Sequence, residues 1–443
     1  MGSKYTRGCC GWLIVALIAA LVATAAMFAI MKRKPGGGGR HIKPLPVPGP
    51  PGAIDSKYGD ALGVALQFFQ VQKSGKLENN QIPWRGDSAL NDGKEAGLDL
   101  SKGMYDAGDH MKFTFPMAFT ATVLAWSVLE YGDQMSAAKQ LDPALDGLKW
   151  ITDFLIAAHP SDNVLYIQVR VAYYLFRSLG CPLKHMHYEL RVIYGYIGAC
   201  YYLMFLSYLY NPLFIQVQEL KVHFIYSVQV LLSRLNFFGS KQISNAENEG
   251  LKSYRDTAEA VICGLIPDSP QATASRTGGG LIWISGWNSL QHATNAAFLS
   301  IVYSDYMLST RTAAVECSGK YYSPTDIRNF AASQANYILG DNPMKLSYLV
   351  GYGSSYPQKV HHRGASIPAD VKTGCKGFEY LHSPNPNPNV AMGALVGGPF
   401  QNDTFVDSRD NALQTESSTY NSGTLVGLLS GLVTTSSVVQ TFT

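Results

Sequence analysis

Apolar positions recur with a helical period along most of the chain. DALGVALQFFQVQK, Asp60 to Lys73, sets Leu62, Leu66 and Phe69 on one face and stops near Gly75. After Pro116, MAFTATVLAWSVLEY reads as a long apolar helix that begins at the proline and ends at Gly132. Pro143 to His159 repeats the form with Leu145, Leu148 and Leu155 on one side, as do Ala293 to Leu308 and Pro324 to Leu339. Alternation with a period of two is scarce, so the class is mainly α. Helices this apolar bury more than one face, as in a double-layered helical barrel.

Two stretches depart from this pattern. Gly11 to Met31 carries no charge and is long enough to span a bilayer. Lys4 and Arg7 precede it and Lys32, Arg33 and Lys34 follow, so charge leaves its orientation open. An uncleaved anchor fits the length better than a signal peptide, although Ala23-Thr24-Ala25 resembles a cleavage site. Either reading sends the chain into the secretory pathway: held in the membrane, or secreted if the segment is cleaved. Cys9 and Cys10 beside it are candidate palmitoylation sites or small apolar residues at a membrane edge. Pro35 to Gly52, with GGGG and PLPVPGPPG, reads as a tether. The expected organisation is a tail and anchor over 1–34, a linker over 35–53 and a folded domain over 54–436.

Arg170 to Val230 is the second departure. It holds no aspartate or tryptophan, is crowded with tyrosine, and runs from Val192 to Gln218 without a charge. Hydropathy allows a membrane span there. Asn211-Pro212 interrupts it, and the flanks read as one soluble domain. A third reading, preferred here, is sequence foreign to the protein, from a retained intron or an aberrant gene model.

Composition narrows the function. With 47% hydrophobic and 15% charged residues among 443, the chain has ample material for a core. A net charge of +3 without a basic block gives no reason to invoke nucleic acid. Seven cysteines include no C-x-x-C pair, which argues against zinc; no metal or cofactor is read from the sequence. Cys317 and Cys375 are candidates to pair with each other.

The candidate chemistry lies in carboxylates. GMYDAGDHMKFTFP puts Asp106 and Asp109 three apart on a segment otherwise made for burial. Both can aim at one water: repulsion raises one pKa, and the amides of a glycine-containing turn keep the other ionised. Hydrolysis of a bond whose leaving group must be protonated, with water activated opposite, also needs a protonated acid from elsewhere. FVDSRDNALQTESSTYN offers Glu416, nine residues after Asp407, and VHHRGAS gathers His361, His362 and Arg363. Trp84, Tyr105, Trp283, Trp287 and Tyr420 lie near these clusters and suit the apolar faces of sugar rings. Taken singly, each has a plainer reading: D-x-x-D occurs in turns and calcium loops, HHR in ion-paired loops, and Glu416 can cap a helix beginning near Thr424.

As a set, these motifs resemble plant glycoside hydrolase family 9 endo-β-1,4-glucanases. The likeness runs from WRGDSAL and MYDAGD, resumes at LLSRLNFF, and continues through SRTGGGLIWISGWNSLQH, ANYILGDNPMKLSYLVGYG and HHRGAS to DSRDNALQTESSTYN. The anchor and tether resemble a membrane-bound subgroup. The resemblance implies an (α/α)6 barrel, inversion at the anomeric carbon and a β-glucan substrate. It implies Asp109 as catalytic base, Asp106 as holder of the water and Glu416 as general acid. His361 and Arg363 would bind sugar near the scissile bond, with Asp407 and Arg409 supporting Glu416 and the substrate. Ser355, Ala412 and Ser417 depart from the family pattern, Ser417 replacing a proline. Arg170 to Val230 stands where the family has an acidic, tryptophan-containing stretch and several barrel helices, so the barrel is expected to be incomplete. The rival expectations are a catalytically impaired relative and a polytopic membrane protein. Asn402-Asp403-Thr404 is a glycosylation sequon in an expected loop.

Overall fold

Helix α1 (Ser56–Gln72) starts where Asp55 accepts a hydrogen bond from the Lys57 amide, and buries Leu62, Leu66, Phe68 and Phe69. The computed structural model describes residues 54–162, 164–169, 187–191, 245–310, 312–373 and 377–434. The predicted anchor, the tether, most of 170–230 and Cys375 lie outside the described residues. Among the described residues no helix is long and apolar enough to cross a membrane.

The long helices that follow are α2 (Thr114–Ala137), α3 (Leu141–Ala157), α4 (Asn245–Leu265), α5 (Leu290–Ser309), α6 (Pro324–Ile338) and α10 (Thr419–Leu432). Short helices α7 (Arg363–Ser366), α8 (Phe378–Leu381) and α9 (Ala412–Thr415) punctuate the loops. Ser323 and Asp326 form a reciprocal capping box in front of Pro324, which explains the sharp start of α6.

Three expectations need correction. α2 does not stop at Gly132; it runs on to Ala137 across a non-helical Tyr131, whose buried hydroxyl donates to Asp305 on α5 and holds the helix past the break. α3 buries Ala144, Gly147, Trp150, Ile151 and Phe154, leaving Leu145 exposed. The Trp150 indole N–H reaches the carbonyls of Ser74 and Gly103, and that contact fixes the rotation of the helix. The mainly α class holds, yet two small antiparallel sheets are present. β1 (Lys112–Phe113), β2 (Val164–Val169) and β3 (His187–Arg191) form one, with Lys112 opposite Val169 and Leu165 opposite Leu190. β4 (Val315–Cys317) and β5 (Lys320–Tyr322) form the other. β1, β4 and β5 are too short to show alternation, and VLYIQV in β2 is apolar at five of its six positions, so it shows none.

Cys317 pairs with Cys263 rather than with Cys375, joining the end of α4 to β4 across a Cα separation of 5.5 Å.

α10 is the innermost element, with every residue from Asn421 to Leu432 buried. It packs against α1, α2, α5 and α6. Its glycine ridge permits this. At Gly427 an added Cβ would lie 2.5 Å from Ser127 Oγ on α2 and 2.6 Å from the Phe298 ring on α5. The far end of α10 is closed by Arg328, which donates to the Thr434 and Gly431 carbonyls and pairs with Asp305 at 2.9 Å. The near end, at Thr419, faces the carboxylates.

Candidate active site

The DAGD turn follows directly from α1. The Tyr105 amide donates to the Gln72 carbonyl at the last residue of that helix, and the Asp106 amide to Met111. Thr419, the first residue of α10, donates its amide to the Asp106 carbonyl at 2.9 Å. Beyond the turn, buried Lys112 pairs with buried Asp92 at 2.9 Å and donates to the Leu100 carbonyl, which pins the loop leading into the turn. Gly108 is required here. A Cβ at this position would sit 3.0 Å from His362 Cα and closer still to the His361 carbonyl oxygen. The VHHRGAS loop therefore lies directly on the turn, and the Arg363 amide donates to the Gly108 carbonyl at 2.8 Å.

Glu416 arrives on the same loop pair. It follows α9, bridges in parallel to His361, and lies beside Thr415, whose carbonyl accepts the His361 amide. His361 Nδ1 is bound to the Arg409 carbonyl, which leaves Nε2 as its other polar ring atom. Glu416 does not cap α10, which begins at Thr419, after Ser418, and not near Thr424; it is instead the C-cap of α9, its amide donating to the Ala412 carbonyl.

The three carboxyls feel one another. Burial, then the charges of Asp109 and Glu416, push Asp106 well above the usual carboxylate range. Asp109 is also raised by burial, but the Met111 and Asp109 amides and nearby His361 oppose this. Burial and the Asp109 charge raise Glu416 to about 8, against the pull of the Gly108 amide. Asp109 is the carboxyl whose rise is most opposed by its surroundings, and its charge adds to the burial that raises the other two. The split expected of D-x-x-D is met only in part: both aspartates are raised, burial exceeds repulsion at Asp106, and the turn amides oppose the rise at Asp109 without cancelling it. Asp106 Oδ1 is buried without a hydrogen-bond partner among the described residues.

The other predicted site residues divide. Tyr420 belongs to the cluster: burial drives its pKa to about 12, and both Asp106 and Glu416 act on it. Asn288 bridges it, donating to the Tyr420 hydroxyl and accepting from Asn421. Trp84 is half-buried, its edge against the His362 ring. Trp287 is exposed, and half-buried Trp283 donates its indole N–H to the Pro399 carbonyl. Arg363 donates to Thr373. Asp407 accepts the amides of Gln358 and Lys359 and so fixes the chain leading into His361.

Two expectations shift. Tyr105 is buried, stacked on His110 with its hydroxyl on Ser88, so its ring faces protein rather than an open groove. Arg409 is 2% exposed and donates to the carbonyls of Tyr380, Ser383 and Asn385 and to Asn387. Its guanidinium secures the 380–387 loop instead of reaching a sugar. Sequence reasoning missed Gln72, Asn288 and the packing role of Gly108. Gln72 gave a faint signal, as a polar residue closing an apolar helix.

Among the described residues no cluster of histidine, cysteine or acid side chains could hold a metal ion.

The family model for Glycosyl hydrolase family 9 matches residues 58–174 and 218–429. Endoglucanase 24 of Oryza sativa subsp. japonica is 67% identical over 529 residues, covering 100% of both chains. Endoglucanase 10 of Arabidopsis thaliana is 48% identical over 530 residues, with 98% of each covered. Among solved structures, the endoglucanase of the termite Nasutitermes takasagoensis superposes with a TM-score of 0.63 at 28% identity, over 85% of this chain and 98% of that one. DAGD, HHR and Glu416 all fall inside the matched stretches, and the chain belongs to glycosyl hydrolase family 9.

Proposed function

We propose that the chain is an endoglucanase that hydrolyses internal β-1,4-glucosidic bonds of cellulose or related wall glucans with inversion. One arrangement supports the chemistry: Glu416, raised to about 8 by burial and the Asp109 charge, joins the two aspartates where the HHR loop lies on the DAGD turn. Glu416 gives its proton to the glycosidic oxygen as the bond to the anomeric carbon breaks. Asp109 takes a proton from water as the water oxygen attacks the opposite face, and Asp106 holds that water. His361 Nε2, with Nδ1 anchored, is placed to meet a sugar hydroxyl. The substrate class rests on the family and on the named plant relatives. The test is release of reducing ends from carboxymethylcellulose by the purified chain. Activity that survives intact in Glu416→Gln would remove the assignment of the acid.

The same reading places the protein in a membrane by residues 11–31, facing the wall. Alkaline carbonate extraction of membranes tests it: release of the full-length chain into the supernatant would count against an anchor. Asn402 is exposed in a turn where Thr404 donates to its side-chain oxygen, so a lumenal domain should lose mass on glycosidase treatment.

A second reading, an impaired relative with a shortened centre, has its own support. The family model leaves 175–217 unmatched, and the 67%-identical alignment extends over 529 positions although this chain has 443 residues. Leu129 on α2 and Ile156 on α3, the helices that precede the gap, are 82% and 73% exposed. Native transcripts that carry the codons for 170–230 would support it, and transcripts lacking them would move the problem to the gene model.

A further inference from the structure

We propose that Gln72 and His362 form a buried relay that positions the Asp106–Asp109 turn against the His361–Arg363 loop. The proposal rests on the reading of those aspartates given above.

The ring tautomer is settled by one contact. The Ala365 amide donates to His362 Nδ1 at 3.0 Å, so Nδ1 carries no proton. The proton is therefore on Nε2, which lies 2.9 Å from Gln72 Oε1 and donates to it. That fixes the Gln72 amide, whose Nε2 donates to the Ala107 carbonyl at 2.8 Å. Each donor and acceptor along the path has one consistent role. Both side chains are sealed, with Gln72 0% and His362 2% exposed. Phe68, Trp84 and His110 surround the imidazole ring. Burial and the nearby Arg85 guanidinium lower the His362 pKa to about 3, so the ring stays neutral throughout the working range.

The relay ends on the residue between the two aspartates. Ala107 follows Asp106, and Gly108 receives the Arg363 amide on the other side. The turn is thus held by the α1 terminus through a side chain and by the VHHRGAS loop through the backbone. Neither Gln72 nor His362 meets the reacting atoms; both are positioning residues. In a dry site an unpaired amide end would leave the Ala107 carbonyl without its donor and let the turn shift. Displacements of about 1 Å at such a turn cost rate more than binding.

The test separates the relay from simple stability. Gln72→Met keeps the volume and removes both polar ends. His362→Asn keeps an acceptor for Ala365 but cannot reach Gln72, whereas His362→Gln keeps a donor toward Gln72. On a soluble cello-oligosaccharide, kcat should fall at least about tenfold in Gln72→Met and His362→Asn with KM within about twofold, while His362→Gln stays within about threefold. The Gln72→Met/His362→Asn double variant should lose no more than either single. Gln72→Glu, which keeps the acceptor and loses the donor, is the second variant should Gln72→Met not fold. Hydrogen exchange supplies a readout independent of turnover: amides of 105–110 and 361–366 should exchange faster in the relay variants, with α10 unchanged. If wild type shows no turnover, the functional reading fails and exchange alone decides the relay. Unchanged exchange in both segments, an increase spread evenly over the chain, or equal losses in His362→Asn and His362→Gln would overturn it.

Discussion

Glu416 shows at the scale of a single residue how burial is converted into chemistry. Its carboxyl moves from 4.5 to about 8 because it is desolvated and feels the Asp109 charge. A general acid must still hold its proton at working pH, and this one does. The alkaline limb of kcat/KM should therefore fall near pH 8, and the acid limb should report Asp109, itself raised by burial. The same shift has a cost. An acid whose folded pKa is raised adds stability that is whole below its ordinary 4.5 and is lost as pH climbs through about 8. Glu416→Gln should cut kcat at least about a hundredfold. It should also raise the melting temperature above that of wild type at about pH 9, with little difference at about pH 4. A variant that melts lower at both pH values would show that the glutamate is held by contacts other than those described.

Elements explain which parts of this were legible in the sequence. α1 and α6 were readable because apolar period and caps agree, as at Ser323, Pro324 and Asp326, and α5 on its apolar period alone. The end of α2 was not, because the Tyr131–Asp305 contact spans 174 residues and overrides the local stop at Gly132. The face of α3 was misread because leucines were counted and Trp150 was not. At the site the motif residues came out together, while Gln72 showed only as a polar end to an apolar helix, because its partner lies 290 residues away. α10 supplies two tests of element packing. Gly427→Ala puts a methyl carbon against Ser127 and Phe298 and should cost ~1–3 kcal/mol in chemical denaturation. Ser417→Pro should instead stabilise by ~0.4–1 kcal/mol in the same assay. Its buried hydroxyl has no partner among the described residues, and Glu416 before it, at φ −75° and ψ 136°, already has the conformation that precedes a proline.

At the scale of the whole molecule, an assembled site is set against helices whose outer faces are bare at Leu129 and Ile156. Its parts come from both sides of the unmatched stretch: DAGD before it, HHR and Glu416 after it. They are joined without that stretch, through the Arg363–Gly108, Thr419–Asp106 and Gln72–His362 contacts. Among the described residues, β3 within that stretch pairs with β2, and β2 with β1 just beyond the DAGD turn, so the centre reaches the site through the small sheet while the direct contacts set the carboxylate geometry. Leu129 and Ile156 are the side chains an additional wall helix would bury, each contributing on the order of 1.5–3 kcal/mol. Replacing 170–230 with the corresponding segment of Endoglucanase 24 should then raise the melting temperature and the rate on long glucans, while the pH profile set by Asp109 and Glu416 stays where it is. Activity assays on carboxymethylcellulose across pH, alongside calorimetry, check both halves. A graft that moved the pH limbs would mean the centre shapes the acid–base pair itself, and one that left rate and stability unchanged would mean the wall is already sufficient.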